Sequence, residues 1–394
     1  MTSETIETES SAKRKLILRD ALTFLTLILV TVLLFVVTLF LFRSFSAHRE
    51  ELAKRWSARG REAIASHRPD QAIVALRTAL SYAPGERSYE LLLAQALGDA
   101  GHVEESYNYF LGLWETQPGD GFINLRLARL AAQKKDMQAA INYYRAAIYG
   151  TWEGDGTVRR RDVRLELSRY LITHHDLSSA RTELLIAGGN APDDMNLAFT
   201  IAQLLEQAGS PSDALTYYQK VLAREPNNQT SLEAAGRLEY GFGHFEDAHR
   251  LLEQARGVHE AAASQSAFPS NLQEMLDNSA KILPLLPSKR LPPSERVARI
   301  LKARDIAKKR FESCNAQVAT ASGLSSPLQT LGARWTSKEA SIDTPALLND
   351  PSERDPVMQL VYDTETQTSQ VCGAPTGADA LLLLLAKSPK GIEP

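Results

Sequence analysis

The fifteen residues DQAIVALRTALSYAP, at positions 70–84, have two counterparts at a spacing of 34 residues. These are EESYNYFLGLWETQP at 104–118 and QAAINYYRAAIYGTW at 138–152. Each stretch has a small residue in third place and a large apolar or aromatic residue four positions later. A chain that keeps one spacing over three segments contains an internal structural repeat.

The pattern continues beyond these three stretches. Its third residue, Ala72, has counterparts at intervals of 34, 34, 40, 34 and 34 residues, which are Ser106, Ala140, Ala180, Ala214 and Ala248. The positions twelve before and seven after these six markers complete a set of eighteen residues, and sixteen of them are Gly, Ala or Ser. The residue four after each marker is always large: Leu76, Phe110, Tyr144, Leu184, Tyr218 and Leu252. The chain therefore contains six repeats.

Close packing of helices explains this spacing. The apolar residues of each repeat follow a helical period and predict two helices of about 12–14 residues. Small residues at the point where two helices cross let the axes approach, and the large residue fills the space beside the crossing. Because proline cannot continue a helix, the second helices are expected to end before Pro84, Pro118, Pro192 and Pro226.

This arrangement resembles the tetratricopeptide repeat, a 34-residue helix pair with a signature of Trp, Leu-Gly, Tyr, Ala, Phe, Ala and Pro. Four repeats match the first part of that signature, with Trp56 and Gly60, Leu93 and Ala94, Leu127 and Ala128, and Ile201 and Ala202. The resemblance covers residues 53–257 and implies an α-solenoid of six helix pairs. A heptad coiled coil is excluded, because its period differs and prolines interrupt the pattern.

The repeats depart from the signature in three places. Arg59 and Ala235 replace the expected Leu in the first and last repeats, which lack a neighbour on one face. Trp152 replaces the closing proline of the third repeat, and six extra residues follow it near 153–161. We expect a loop or a lengthened helix there, with the run Arg159–Arg161 on a solvated surface rather than in a phosphate site.

Residues 21–42, ALTFLTLILVTVLLFVVTLFLF, contain no charged residue, Pro or Gly. As a helix they extend about 33 Å, enough to cross about 30 Å of hydrocarbon. This segment therefore predicts a single transmembrane helix that contacts the lipid bilayer. Two alternatives stay open, namely a signal peptide that is cleaved before Ala47 and a buried core helix.

The flanks of this segment carry four Lys or Arg on each side, so the positive-inside rule does not decide the orientation. A short basic tail before one span favours a cytoplasmic tail at 1–20 and a large periplasmic domain on the cell membrane. Residues 43–52 lack Pro and Gly and predict a helical stalk that continues into the first repeat. Residues 258–394 are expected to form a capping helix and a C-terminal helical domain. The predicted class is therefore all-α.

One position in the first helix of each repeat predicts a binding surface. In tetratricopeptide repeats the residue after the small residue of this helix faces the concave groove. Here these positions hold long hydrogen-bond donors and no acid, and we call them the ladder residues: Arg61, Gln95, Arg129, Arg169, Gln203 and Arg237. They predict a groove for an extended peptide or an acidic segment of a protein partner. The alternative is that the arginines pair with acids of neighbouring repeats and serve packing alone.

The C-terminal region resembles no enzyme family. Its two cysteines, Cys314 and Cys372, are expected to form a disulfide if the domain is exported and to be buried thiols if it is cytoplasmic. Residues 289–310 carry nine Lys or Arg and two acids, whereas residues 338–365 carry seven acids and two bases. We expect the basic stretch to face this acidic stretch, with anionic lipid as the alternative.

Composition and motifs restrict the possible functions. A formal net charge of -3 argues against nucleic-acid binding. There is no Gly-rich phosphate loop, HExxH motif or CxxC pair, so no cofactor, metal site or catalytic residue is predicted. The first hypothesis is a bacterial membrane-anchored scaffold that binds a protein through its groove and organises a complex. The alternative is an enzyme-associated protein whose C-terminal domain acts on an envelope ligand, with the repeats as a substrate-recruiting arm.

Overall fold

The computed structural model describes residues 4–191, 193–262, 267–319 and 326–388. The chain is 83% helical, and no strand occurs among the described residues, which confirms the all-α class. The helices are α1 (Glu4–Ala65), α2 (Pro69–Tyr82), α3 (Arg87–Asp99), α4 (Val103–Thr116), α5 (Gly121–Gln133), α6 (Met137–Tyr149), α7 (Gly156–Thr173), α8 (Leu177–Gly189), α9 (Met195–Gln207), α10 (Pro211–Arg224), α11 (Gln229–Phe242), α12 (Phe245–Ala261), α13 (Ser270–Ile282), α14 (Pro293–Ala319), α15 (Ser326–Trp335), α16 (Lys338–Ser341), α17 (Thr344–Asn349), α18 (Arg354–Cys372) and α19 (Gly377–Lys387).

Helices pack in consecutive pairs over the repeat region, as the sequence predicted. The end of α1 packs on α2, α3 on α4 and α5 on α6, while α9 packs on α10 and α11 on α12. The chain forms two compact units, Met1–Leu167 and Ser168–Pro394, so the division falls within α7. The boundary expected after residue 257 lies close to the end of α12, which continues to Ala261.

The small and large residues of the repeat pattern form the core of the pairs. All twenty-four of these positions, four in each of six repeats, are buried. The first helix approaches the second so closely at Gly60 that an added Cβ atom would lie 2.6 Å from Cγ of Leu76. At Gly236 the same atom would lie 2.8 Å from Cγ of Leu252. The large residue four after the marker therefore occupies the space that the small residue leaves open.

Side-chain caps and prolines set the helix ends. Aspartates cap the starts of several helices, such as Asp136, which accepts a hydrogen bond from the backbone N–H of Ala139 at the start of α6. Pro84, Pro118 and Pro226 follow the ends of α2, α4 and α10 by two residues each, as expected. Pro192 lies outside the described residues.

Trp152 closes the third repeat in place of a proline. Its indole ring occupies the space next to Gly121, where an added Cβ atom would lie 2.3 Å from the ring. The indole N–H donates to the carbonyl of Ala147 at 2.9 Å, and Thr151 forms a parallel bridge with Asp120. The six extra residues lengthen the next helix, since α7 has 18 residues. The insertion is therefore a lengthened helix, and Arg159 stacks over Trp152 at 5.8 Å from the ring centroid.

Helix α1 contains the apolar run 21–42 and continues without a break into the first repeat. Its portion Ile17–Ala65 is long and apolar enough to cross a membrane, and its apolar window is not buried within the chain. One bent pair of helices, Pro351–Cys372 with Gly377–Lys387 at 114°, passes the same test only when taken as a single span. That pair forms part of a folded helical core.

The core of the C-terminal helices brings α14, α18 and α19 together. Val297 and Ile300 of α14 pack in one cluster with Val361 of α18 and Leu382 of α19, and all four are fully or almost fully buried. A second cluster holds Phe311 of α14 with several residues of α15 and α18. Helices α18 and α19 are therefore explained by packing.

The basic stretch 289–310 forms contacts different from those expected. Arg290 pairs with Asp247 at 3.1 Å, and Arg310 donates to the carbonyl of Gly373 at 2.8 Å. Its link to the acidic stretch is a hydrogen bond from Arg304 to the carbonyl of Ile342 at 2.7 Å. Carbonyls at helix ends lack partners within the helix, and Gly373 follows the end of α18, so arginine satisfies one there. The expected charge pairing between the two stretches is wrong for these arginines.

Two glycines of α11 provide a direct test of the packing. Replacing Gly236 by Ala places a Cβ atom against Leu252, and we expect it to lower the free energy of unfolding by about 1–3 kcal/mol. Gly241, in the same helix, has no heavy atom within 4 Å of its added Cβ, so Gly241→Ala is expected to raise stability by up to about 1 kcal/mol. Urea unfolding followed by circular dichroism measures both. Equal effects of the two changes would contradict the packing at the crossing.

Candidate functional site

The ladder residues of the first unit lie on α1, α3 and α5. Arg61 is exposed, Gln95 is partly buried and Arg129 is exposed. Arg129 forms a two-point contact with Glu166 of α7, with Nε 2.8 Å from Oε1 and Nη2 2.7 Å from Oε2. The contact joins the third repeat to the fourth, and its hydrogen bonds raise the pKa of Arg129. This geometry is the alternative stated for the arginines, namely pairing with an acid of a neighbouring repeat.

A tyrosine completes this contact. The hydroxyl of Tyr144 donates to Oε1 of Glu166 at 2.9 Å. Tyr144 is the large residue four after the marker of the third repeat, and it is buried. Glu166 therefore accepts from one arginine and one tyrosine and keeps its charge next to the core of the repeat.

The second unit contains the same three residue types in a different order along the chain. Arg169 and Gln203 are exposed, and Arg237 is partly buried. Arg237 pairs with Glu206 of α9, and the hydroxyl of Tyr218 donates to Glu206 at 2.8 Å. Burial raises the pKa of Tyr218, so this residue stays a donor. Here the arginine lies one repeat after the acid, whereas Arg129 lies one repeat before Glu166.

Analysis of the sequence alone did not include the two glutamates and the two tyrosines in the site. The signal for them was the residue four after the marker. That position holds Leu or Phe in four repeats and Tyr only in the third and fifth, as Tyr144 and Tyr218. A buried tyrosine hydroxyl needs a polar partner, so each of these residues predicted a nearby acceptor. The identity of that acceptor required the structure.

A cleft lies beside the ladder residues of the second unit. It has a volume of about 550 Å³ and is lined by α9, α11 and the start of α13. Two ladder residues, Gln203 and Arg237, lie on its wall, and the amide side chains of Gln207 and Asn271 lie near them. The cleft thus presents several groups that can donate to or accept from a peptide backbone.

The two cysteines lie on helices that pack on one another. Cys314 of α14 and Cys372 at the end of α18 are joined as a disulfide, with Cα atoms 5.8 Å apart. This Cα separation is typical of disulfides. The link ties α14 to α18 next to the buried cluster around Phe311.

The acids of the C-terminal helices have structural partners or are buried. Arg334 bonds with Glu339 at 2.8 Å and with Asp363 at 2.7 Å. Glu365 of α18 is fully buried, and neither of its carboxyl oxygens has a hydrogen-bond partner. Burial, together with repulsion from Asp379, raises the pKa of Glu365 to about 8. No group of three His, Cys, Asp or Glu side chains suits a metal ion in the part of the chain that the structure describes.

Repeated helix pairs with a buried small-to-large crossing define the chain as an α-solenoid repeat protein. Models of the tetratricopeptide repeat match residues 123–149 and 165–229. The chain is therefore a tetratricopeptide repeat protein, as the resemblance in the sequence indicated. No curated protein matches it in sequence.

Several solved structures are similar to this chain over the repeats. PilF of Pseudomonas aeruginosa is 16% identical, with 58% of this chain and 99% of that chain covered and a TM-score of 0.38. The C-terminal part of a repeat protein from Cytophaga hutchinsonii is 12% identical, with coverages of 61% and 91% and a TM-score of 0.42. PilW, a type IV pilus biogenesis factor, is 17% identical, with coverages of 59% and 98% and a TM-score of 0.35.

The buried carboxyl predicts a pH dependence of stability. Because the pKa of Glu365 rises on folding to about 8, the folded state holds its proton more tightly than the unfolded state. Stability from this group is complete below its unfolded pKa near 4.5 and is lost as pH rises towards 8, with a slope of up to about 1.4 kcal/mol per pH unit. Glu365→Gln should remove this slope.

Thermal unfolding of the full chain in detergent between pH 5 and 8 measures the effect. Asp355→Asn, which changes an exposed carboxyl of the same helix, is the matched control. Parallel pH profiles for the wild type and Glu365→Gln would show that this carboxyl does not titrate in the stated range.

Proposed function

We propose that this protein is a scaffold, anchored in the cell membrane by residues 21–42, that binds a segment of a partner protein along the ladder side of its repeats. Tetratricopeptide repeats are protein-interaction scaffolds that bind peptides. The observation that carries the proposal is helix α1, in which an unburied apolar run and the first helix of the first repeat form one unbroken helix.

The base of α1 is attached firmly to the first repeat. Arg49 donates to the carbonyl of Tyr82 at 2.8 Å, which joins the stalk 43–52 to the end of α2. Ala53 is fully buried with Ala79 and Tyr89 in one cluster. From residue 42 to Ala53 the helix rises about 16 Å. The stalk therefore supports a model in which the repeats stay at a fixed short distance from the bilayer.

The disulfide supports a periplasmic position for the large domain. Disulfides persist in oxidising compartments and are rare in the cytosol. The helices α14 and α18 hold Cys314 and Cys372 at a distance suited to such a link. The short basic tail before the apolar run agrees with this orientation, since such tails favour the cytoplasmic side.

The chemistry of the ladder supports a polypeptide ligand. Gln95 and Gln203 carry both donors and acceptors and can bond to a peptide backbone in either direction. Arg61 is exposed at the first repeat and can bond to a carboxylate or a backbone carbonyl. Arg129 and Arg237 are neutralised by Glu166 and Glu206, so their remaining N–H groups suit neutral acceptors. An extended peptide fits this set of groups, and an acidic segment fits best at Arg61.

Site-specific photo-crosslinking in living cells tests the function. With p-benzoylphenylalanine at Gln95 or Gln203, we expect a discrete protein adduct in the membrane fraction after irradiation. The matched controls carry the same group at Asn142 of α6 or Thr216 of α10, exposed positions on second helices, and should give no adduct. A chain lacking residues 21–42 is expected to leave the membrane fraction.

Two results would count against the proposal. If all four positions gave the same adducts, or none, the ladder side would not be the binding surface. If the protein without residues 21–42 stayed in the membrane fraction after alkaline carbonate washing, the apolar run would not be the anchor.

A further inference from the structure

The cleft of the second unit has a charge balance that the ladder sequence does not predict. Its charged lining residues are Glu206, Glu233 and Arg237, two acids and one base. The ladder positions alone, Arg169, Gln203 and Arg237, suggested a basic surface for an acidic ligand. The added acids reverse that sign at this end of the repeats.

Arg237 does not offer a free positive charge. It pairs with Glu206, and the other oxygen of Glu206 accepts from Tyr218. An acidic side chain that approached Arg237 would also approach the carboxylate of Glu206. Because this pair is only partly exposed, solvent screens the repulsion less than at an open surface. The pair therefore disfavours a carboxylate in the cleft and leaves arginine N–H groups for backbone carbonyls.

Glu233 supplies the charge that determines the ligand. It lies on α11 in the wall of the cleft and is partly buried. One of its oxygens accepts from the side-chain amide of Gln229, which is neutral. Within the described ranges no Lys, Arg or His pairs with it. Glu233 is thus a carboxylate with an unused acceptor oxygen, next to neutral amides of Gln203, Gln207 and Asn271.

We propose that the cleft between α9, α11 and α13 binds an extended polypeptide segment that carries a Lys or Arg side chain, and that Glu233 pairs with this side chain. The neighbouring amides bond to the backbone of the segment, and Leu272 and Pro269 at the start of α13 supply apolar contact. The inference rests on the proposed binding of a polypeptide along the ladder and specifies the charge of the bound segment.

Selection of peptides by the full-length protein in detergent micelles tests the charge preference. The probe is a random nonapeptide library displayed on phage. Peptides selected by the wild type should be enriched in Lys and Arg by about fivefold over the input library, as expected for one partly shielded ion pair. Glu233→Arg should reverse the preference to Asp and Glu. Glu233→Gln should abolish it without a change in helix content by circular dichroism.

Glu253→Arg is the matched control, because it makes the same change of net charge on α12 outside the cleft, and it should select as the wild type does. If peptides are selected but Glu233→Arg keeps the wild-type preference, this inference is wrong and polypeptide binding stands. If no peptide is enriched by the wild type, both the inference and the proposed function fail.

Discussion

Continuity of helix α1 is the constraint on which the rest of this structure depends. The same helix carries the apolar run 21–42 and, from Ala53 onward, the first helix of the first repeat. It closes on α2 through the contact of Gly60 with Leu76, and each later pair uses the same small-to-large packing. A single helix pair cannot bury its apolar face alone, so the stacked pairs stabilise one another. The first repeat is the member of this series that is continuous with the apolar run.

The ladder combines structural and binding roles. Arg129 and Arg237 each hold a glutamate that also accepts from a buried tyrosine, and these contacts join neighbouring repeats. The arginines therefore contribute to packing, and their charge is balanced within the chain. The remaining ladder residues are uncommitted in a different sense, since Gln95 and Gln203 are neutral and Arg61 is exposed. A ligand thus meets a surface that is largely polar and only locally charged.

Period and residue size made the fold predictable from the sequence. The marker Ala72 and its counterparts located every helix pair, because the packing requires a small residue wherever two helices cross. The partners of the ladder arginines could not be predicted, because Glu166 and Glu206 lie at different places relative to their own repeats. Contacts of Arg290 and Arg304 were missed for a similar reason, since a long side chain can reach a carbonyl as readily as an acid. Trp152 shows a third case, in which one large ring replaces proline by filling the space next to Gly121.

Hydrogen–deuterium exchange of the full chain in lipid nanodiscs tests the central claim most directly. If α1 is one helix from the bilayer into the first repeat, the amides of residues 21–42, of the stalk 43–52 and of residues 53–65 all exchange slowly. The stalk decides the outcome, because it lies outside both the apolar run and the packed repeat. Slow exchange across all three segments is the predicted result. Fast exchange confined to 43–52 would contradict a rigid connection, and fast exchange across 21–42 would contradict the membrane anchor.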